Sequence, residues 1–134
     1  MMKIKYPLAI ISLVLFFSSC SVQKVVPNEN ELKSKFGNKT FYWNYDTTFL
    51  LIVDKTDTTN YNYLAPLDFL VYSLKTDSVT YKQFLPGGAV GWFGDYTLKI
   101  EIQPGNITGD ETENDFTFYY DVKRNKKIIN TPGE

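Results

Sequence analysis

Any chemistry in this 134-residue chain is done without imidazole, because the sequence contains no histidine, and it contains a single cysteine, Cys20. The missing histidine removes the commonest general base and the commonest neutral metal ligand. Ser-His-Asp and Cys-His mechanisms are therefore excluded, and nothing matches a Cys/His zinc spacing. The densest acidic cluster is Asp110, Glu111, Glu113 and Asp115 around Asn114. Calcium would take oxygens from such a group, but the cluster follows Gly109 and lacks the Asp-x-Asp-x-Asp-Gly order of a calcium loop. A solvated hairpin tip is the preferred reading, and no cofactor is expected. Two carboxylates such as Asp95 and Asp115 would serve a glycosidase if the fold held them about 5–9.5 Å apart. A domain this small has little room for a cleft as well as a core, so the chain is read as a non-enzyme.

Gly87, Gly88, Gly91 and Gly94 invite comparison with a phosphate-binding loop. That loop needs Gly-Lys-Ser/Thr and a following helix, whereas here an alternating segment follows, so tight turns around a short strand are expected. Aromatic residues are abundant, with ten Tyr, ten Phe and two Trp. On strands they serve first as packing. The remainder is a set expected at the surface: Tyr42, the loop residues Tyr61 and Tyr63, and Trp92 with Phe93 on a glycine-bracketed lip. These are the candidate partner- or ligand-binding residues.

Cys20 closes a distinctive segment. Lys3 and Lys5 precede an almost wholly apolar stretch over 6–17, and Ser18-Ser19-Cys20 follows at once. This is the order of an export signal, and the stretch is shorter than the roughly 20 residues of a membrane-spanning helix. The residues Phe17-Ser18-Ser19-Cys20 resemble a bacterial lipobox, with Phe17 where that family usually has an aliphatic residue. The resemblance implies cleavage before Cys20, diacylation of its sulfur and acylation of the new amino group. A lone thiol in an exported chain otherwise has no partner. In lipoproteins of this kind an Asp after the cysteine favours retention in the inner membrane; Ser21 here implies the outer membrane.

Cleavage would remove residues 1–19, including two lysines and no acid, which takes the formal charge from −1 to −3. A mildly acidic surface argues against nucleic acid, and leaves membrane attachment to the acyl chains. Residues 20–40 read as a lipidated N-terminus and tether. Asn28 with Glu31, Leu32 with Phe36, and Gly37 suggest a short capped helical turn that could fix how the domain stands on the membrane. A partly ordered linker is the preferred reading there. The basic run Lys123-Arg124-Asn125-Lys126-Lys127 reads as a charged turn guarding a sheet edge, or as a contact for an acidic partner.

Residues 41–134 form one all-β domain of seven to eight strands, with runs at 41–45, 49–53, 67–74, 79–85, 90–93, 96–103, 116–123 and 127–130. Leu98, Ile100 and Ile102 alternate with polar residues and point inward, as do Phe116, Phe118, Tyr120 and Val122, leaving Tyr119 outward. If Phe41, Trp43 and Tyr45 face the core, Tyr42 faces out. The continuously apolar 49–53, and 67–74 with large residues on both faces, suit strands covered on each side or kinked by a bulge. Two packed antiparallel sheets are expected, with a small closed barrel as the alternative. In general plan this resembles the small lipoprotein subunits that attach envelope machines to the outer membrane. The expected role is thus a binding or structural accessory subunit with an envelope protein partner. The alternatives are a carbohydrate or small-ligand module presenting coplanar exposed aromatics, and the carboxylate hydrolase above.

Overall fold

The computed structural model describes residues 24–55, 65–106 and 109–129. The aromatic and β-branched runs form strands β1 (Thr40–Trp43), β2 (Phe49–Lys55), β3 (Leu67–Ser73), β4 (Ser78–Leu85), β5 (Gly88–Trp92), β6 (Thr97–Ile102), β7 (Thr117–Asp121) and β8 (Lys126–Ile128). They make two four-stranded antiparallel sheets, β1-β2-β3-β4 and β5-β6-β7-β8, each following chain order. The sheets pack face to face as a β-sandwich and do not close into a barrel. Pro86 and Gly87 carry the chain from one sheet to the other, where Gly88 begins β5 rather than lying in the expected turn.

The core follows from the period-two pattern. Leu51, Leu67, Phe69, Val71 and Leu85 of the first sheet meet Leu98, Ile100, Tyr120 and Val122 of the second. Ile102 and Phe118 pack around them, so the inward faces expected for β6 and β7 are the ones observed. Across the interface Tyr81 and Tyr120 stack, with ring centroids 3.9 Å apart and planes 20° from parallel. Burial pushes both phenols above their ordinary titration range. Their hydroxyls stay satisfied, Tyr81 by Gln83 Oε1 at 2.6 Å and Tyr120 by Asn125 Oδ1.

The other face of the first sheet is covered in part, with Val79 and Phe84 of β4 left exposed on it. Leu50, Ile52 and Tyr72 are buried with Leu32 of helix α1 (Glu29–Phe36), and Phe36, Phe41, Trp43, Leu70 and Leu74 surround them. This corrects the preferred linker reading for that part of the 20–40 segment. Asn28 Oδ1 accepts from the Glu31 amide while Glu31 Oε2 accepts from the Asn28 amide, and the Gly37 N–H closes the last turn on Lys33 O. A helix of eight residues is marginal alone. Here Leu32 and Phe36 secure it, with the Phe36 ring edge-on to Tyr72 at 5.3 Å. Continuous apolarity in β2 therefore has its cause in two covered faces, Leu51 turned to one sheet and Leu50 with Ile52 to the helix. The β3–β4 ladder slips between Val71 and Tyr72 with Thr80 of β4 as the extra residue, so β3 keeps its own alternation, Leu67, Phe69 and Val71 turned to the second sheet and Leu70 with Tyr72 to the helix.

The two ends of the sandwich differ. At one, here the turn end, lie four short connections: 44–48, 74–77, 93–96 and 122–125. At the other, the loop end, lie the β2–β3, β4–β5 and β6–β7 connections, the last carrying a 3₁₀ turn at Glu113–Phe116. Tyr45 is expected in the core but stands 86% exposed at the turn end. Asn44 ends the alternation of β1 by burying its own side chain, which sends the next residue out.

Candidate functional site

The turn end is built around Asn44. Its Nδ2 donates to Asp46 Oδ1 at 2.9 Å and to the carbonyl of Asp95 at 2.9 Å, and its Oδ1 accepts the Phe49 amide at 2.9 Å. One buried amide thus joins the β1–β2 turn of the first sheet to the β5–β6 turn of the second. Asp46 completes the clamp by accepting from the Thr48 amide at 3.1 Å and from the hydroxyls of Thr48 and Tyr96. Donors from Thr48, then Tyr96, hold the Asp46 carboxyl down at about 2. On the far side of Tyr96 the Lys123 ammonium lies 4.6 Å above the ring. These contacts are internal and fix the loops as a rigid platform.

A pair of aromatic rings in contact lies beside this clamp, on the outer face of the second sheet. Phe93 is 50% exposed and rests against Tyr119 with ring centroids 4.8 Å apart and planes tilted by 59°. Register places Gly91, Lys99, Tyr119 and Ile128 in one row across the four strands. Gly91 keeps that row low, since a side chain there would meet nothing within 4 Å. Lys99 and Glu101 pair at 2.8 Å on the same face. Among the described residues no helix covers this sheet as α1 covers the first.

The sequence-derived candidates therefore scatter. Phe93 belongs to the exposed surface. Trp92 does not: it packs partly buried against the core, and its Nε1 donates to the Tyr42 carbonyl at 2.9 Å, so its role is to close the sandwich. Tyr42 is half exposed but pairs with Leu51, which puts it on the inter-sheet side at the edge strand. Tyr61, Tyr63 and Cys20 lie outside the described residues. The residue that sequence reasoning left out of the site is Tyr119, already marked outward by alternation; only the cross-strand register reveals that it meets Phe93. The tilted pair does not supply the coplanar rings expected of a sugar platform.

The acidic candidates are likewise placed. Asp110, Glu111 and Asp115 are exposed at the loop end, and Asp115 Oδ2 accepts from the Thr112 amide at 2.7 Å and its hydroxyl at 3.1 Å. Glu113 lies in the 3₁₀ turn. Among the described residues no three of Cys, Asp and Glu are grouped so as to hold a metal ion. Asp95 precedes β6 at the turn end, whereas Asp115 precedes β7 at the loop end. From Thr97, paired with Asp121, to Glu101, paired with Thr117, the sheet alone spans about 13 Å. That separation exceeds the roughly 5–9.5 Å that Asp95 and Asp115 would need to act as a glycosidase pair.

Among the described residues no helix is long and apolar enough to cross a membrane. No protein-family model, no curated protein and no solved structure matches the chain.

Proposed function

We propose that this chain is a bacterial outer-membrane lipoprotein, held by acyl chains on Cys20, whose β-sandwich binds an envelope protein as an accessory subunit. The anchor rests on the segment ending at Cys20 and on the absence of any second cysteine. Two or more acyl chains hold a protein stably where one does not. The recognition role rests on one structural contrast: α1 buries the outer face of the first sheet around Leu50, Ile52 and Tyr72 and leaves Val79 and Phe84 of β4 exposed there, while no helix among the described residues covers the outer face of the second, where Phe93 rests half exposed against Tyr119. Exposed aromatics on a rigid frame make effective interface anchors because they carry large apolar area at low entropic cost.

Crosslinking in intact cells followed by capture from detergent-solubilised membranes tests this reading. The expected outcome is a stoichiometric protein companion whose yield falls at least about tenfold in Phe93→Ser/Tyr119→Ser, since two anchor residues at an interface commonly contribute more than 1.4 kcal/mol together. Capture without a companion, or with one retained equally by the variant, contradicts it.

A further inference from the structure

The first described residue, Lys24, is stapled to the turn end. Its ammonium donates to the carbonyl of Leu74 at 2.6 Å and to that of Lys75 at 3.2 Å, the start of the β3–β4 turn. Lys24 is four residue steps from Cys20, and a fully extended chain of that length spans no more than about 14 Å. The eight-residue strand β4 alone makes the sandwich roughly 26 Å tall. An anchor at Cys20 can therefore reach the turn end but cannot pass the body of the domain to bring the loop end to a bilayer.

Charge and exposed apolar area follow the same axis. Lys24, Lys75, Lys123, Arg124 and Lys126 stand at the turn end, outnumbering the carboxylates Asp46, Asp77, Asp95 and Asp121 there, of which Asp121 lies 3.8 Å from Arg124. Asp77 is moreover paired with Lys35 at 2.8 Å. Val25 and Tyr45, each 86% exposed, and Phe93 belong to this end as well. Asp110, Glu111 and Asp115 project from the opposite end.

We infer that the domain stands on its membrane by the turn end, with Lys75, Lys123, Arg124 and Tyr45 against anionic headgroups and the acidic loop end directed away. The inference rests on acylation of Cys20. It adds an orientation to that reading and identifies Lys123 and Arg124 of the basic run as lipid contacts. At physiological salt the attraction acts over about 8 Å, a distance the short leash enforces. The orientation leaves the side of the sandwich, with Phe93 and Tyr119 near its lower rim, open to a partner lying along the bilayer.

The test uses the full acylated protein reconstituted in vesicles of phosphatidylethanolamine and phosphatidylglycerol. Because acylation blocks the sulfur of Cys20, the variants Tyr45→Cys, Lys75→Cys and Asp110→Cys each carry one free thiol for a fluorophore. Vesicle flotation is measured first, then quenching by headgroup-labelled nitroxide lipid. The expected result is flotation with quenching several-fold stronger at positions 45 and 75 than at position 110. Flotation with equal or reversed quenching overturns the orientation while leaving the anchor standing. Failure to float overturns both.

Discussion

At the scale of single residues, Asp46 of the turn-end clamp and two glycines of β5 each allow a sharp prediction. Asp46 has its carboxyl lowered from its ordinary value near 3.8 to about 2, so the folded state holds this carboxylate more strongly than the unfolded chain does. Its stabilising effect is fully present above about pH 4 and is lost as pH falls toward 2. The carboxylate is exposed and screened by solvent, so Asp46→Asn should cost no more than about 1 kcal/mol at neutral pH. The difference in urea midpoint between wild type and Asp46→Asn should then shrink steadily between pH 4 and 2. A difference independent of pH would show that the charge of Asp46 does nothing for the fold. At Gly88, with φ of +135°, an added Cβ would sit 1.9 Å from the carbonyl oxygen of Glu101, whereas at Gly91 it would meet nothing within 4 Å. Gly88→Ala should therefore cost about 3 kcal/mol or more. Gly91→Ala should be neutral or stabilise by about 0.5–1 kcal/mol, as removal of a strand glycine allows. Thermal and urea unfolding of the two variants side by side check this contrast.

At the scale of elements, α1 is the piece whose importance the sequence understates. Strands announced themselves because each buries one side of an alternating run: Leu98 and Ile100, or Phe118 and Tyr120, read correctly from spacing alone. The helix has only eight residues, and the partners that stabilise it, Leu50, Ile52 and Tyr72, come from strands that follow it in the chain. Capping residues Asn28 and Glu31 were visible, but what the cap supports was not. The same blindness to register hid the contact between Phe93 and Tyr119, and a side-chain cage at Asn44 turned Tyr45 outward against the alternation. If α1 is a structural layer, Leu32→Ala should destabilise the domain by about 2–3 kcal/mol, the lower part of the range for buried leucines, because a peripheral helix can settle into the gap. Asn28→Ala should cost about 1 kcal/mol through loss of the cap. Unchanged midpoints in both variants would mean that the first sheet tolerates an uncovered outer face.

At the scale of the whole molecule, the account joins a sandwich of two unequal faces to an anchor at its N-terminal side. Fold class was legible because about eight short runs separated by turn chemistry leave few ways to bury one face of each. The candidate interaction surface was legible only in part: Phe93 was anticipated, Trp92 is committed to closing the sheets, and the acidic cluster stands apart at the loop end. Everything said of location follows from Cys20, and the most direct measurement is the intact mass and N-terminal peptide of the protein recovered from membranes. The account predicts a chain beginning at Cys20 and carrying three acyl groups, with Cys20→Ser abolishing the modification and releasing the protein from the membrane fraction. A mature protein with an unmodified thiol, or with its first residue elsewhere, would contradict it.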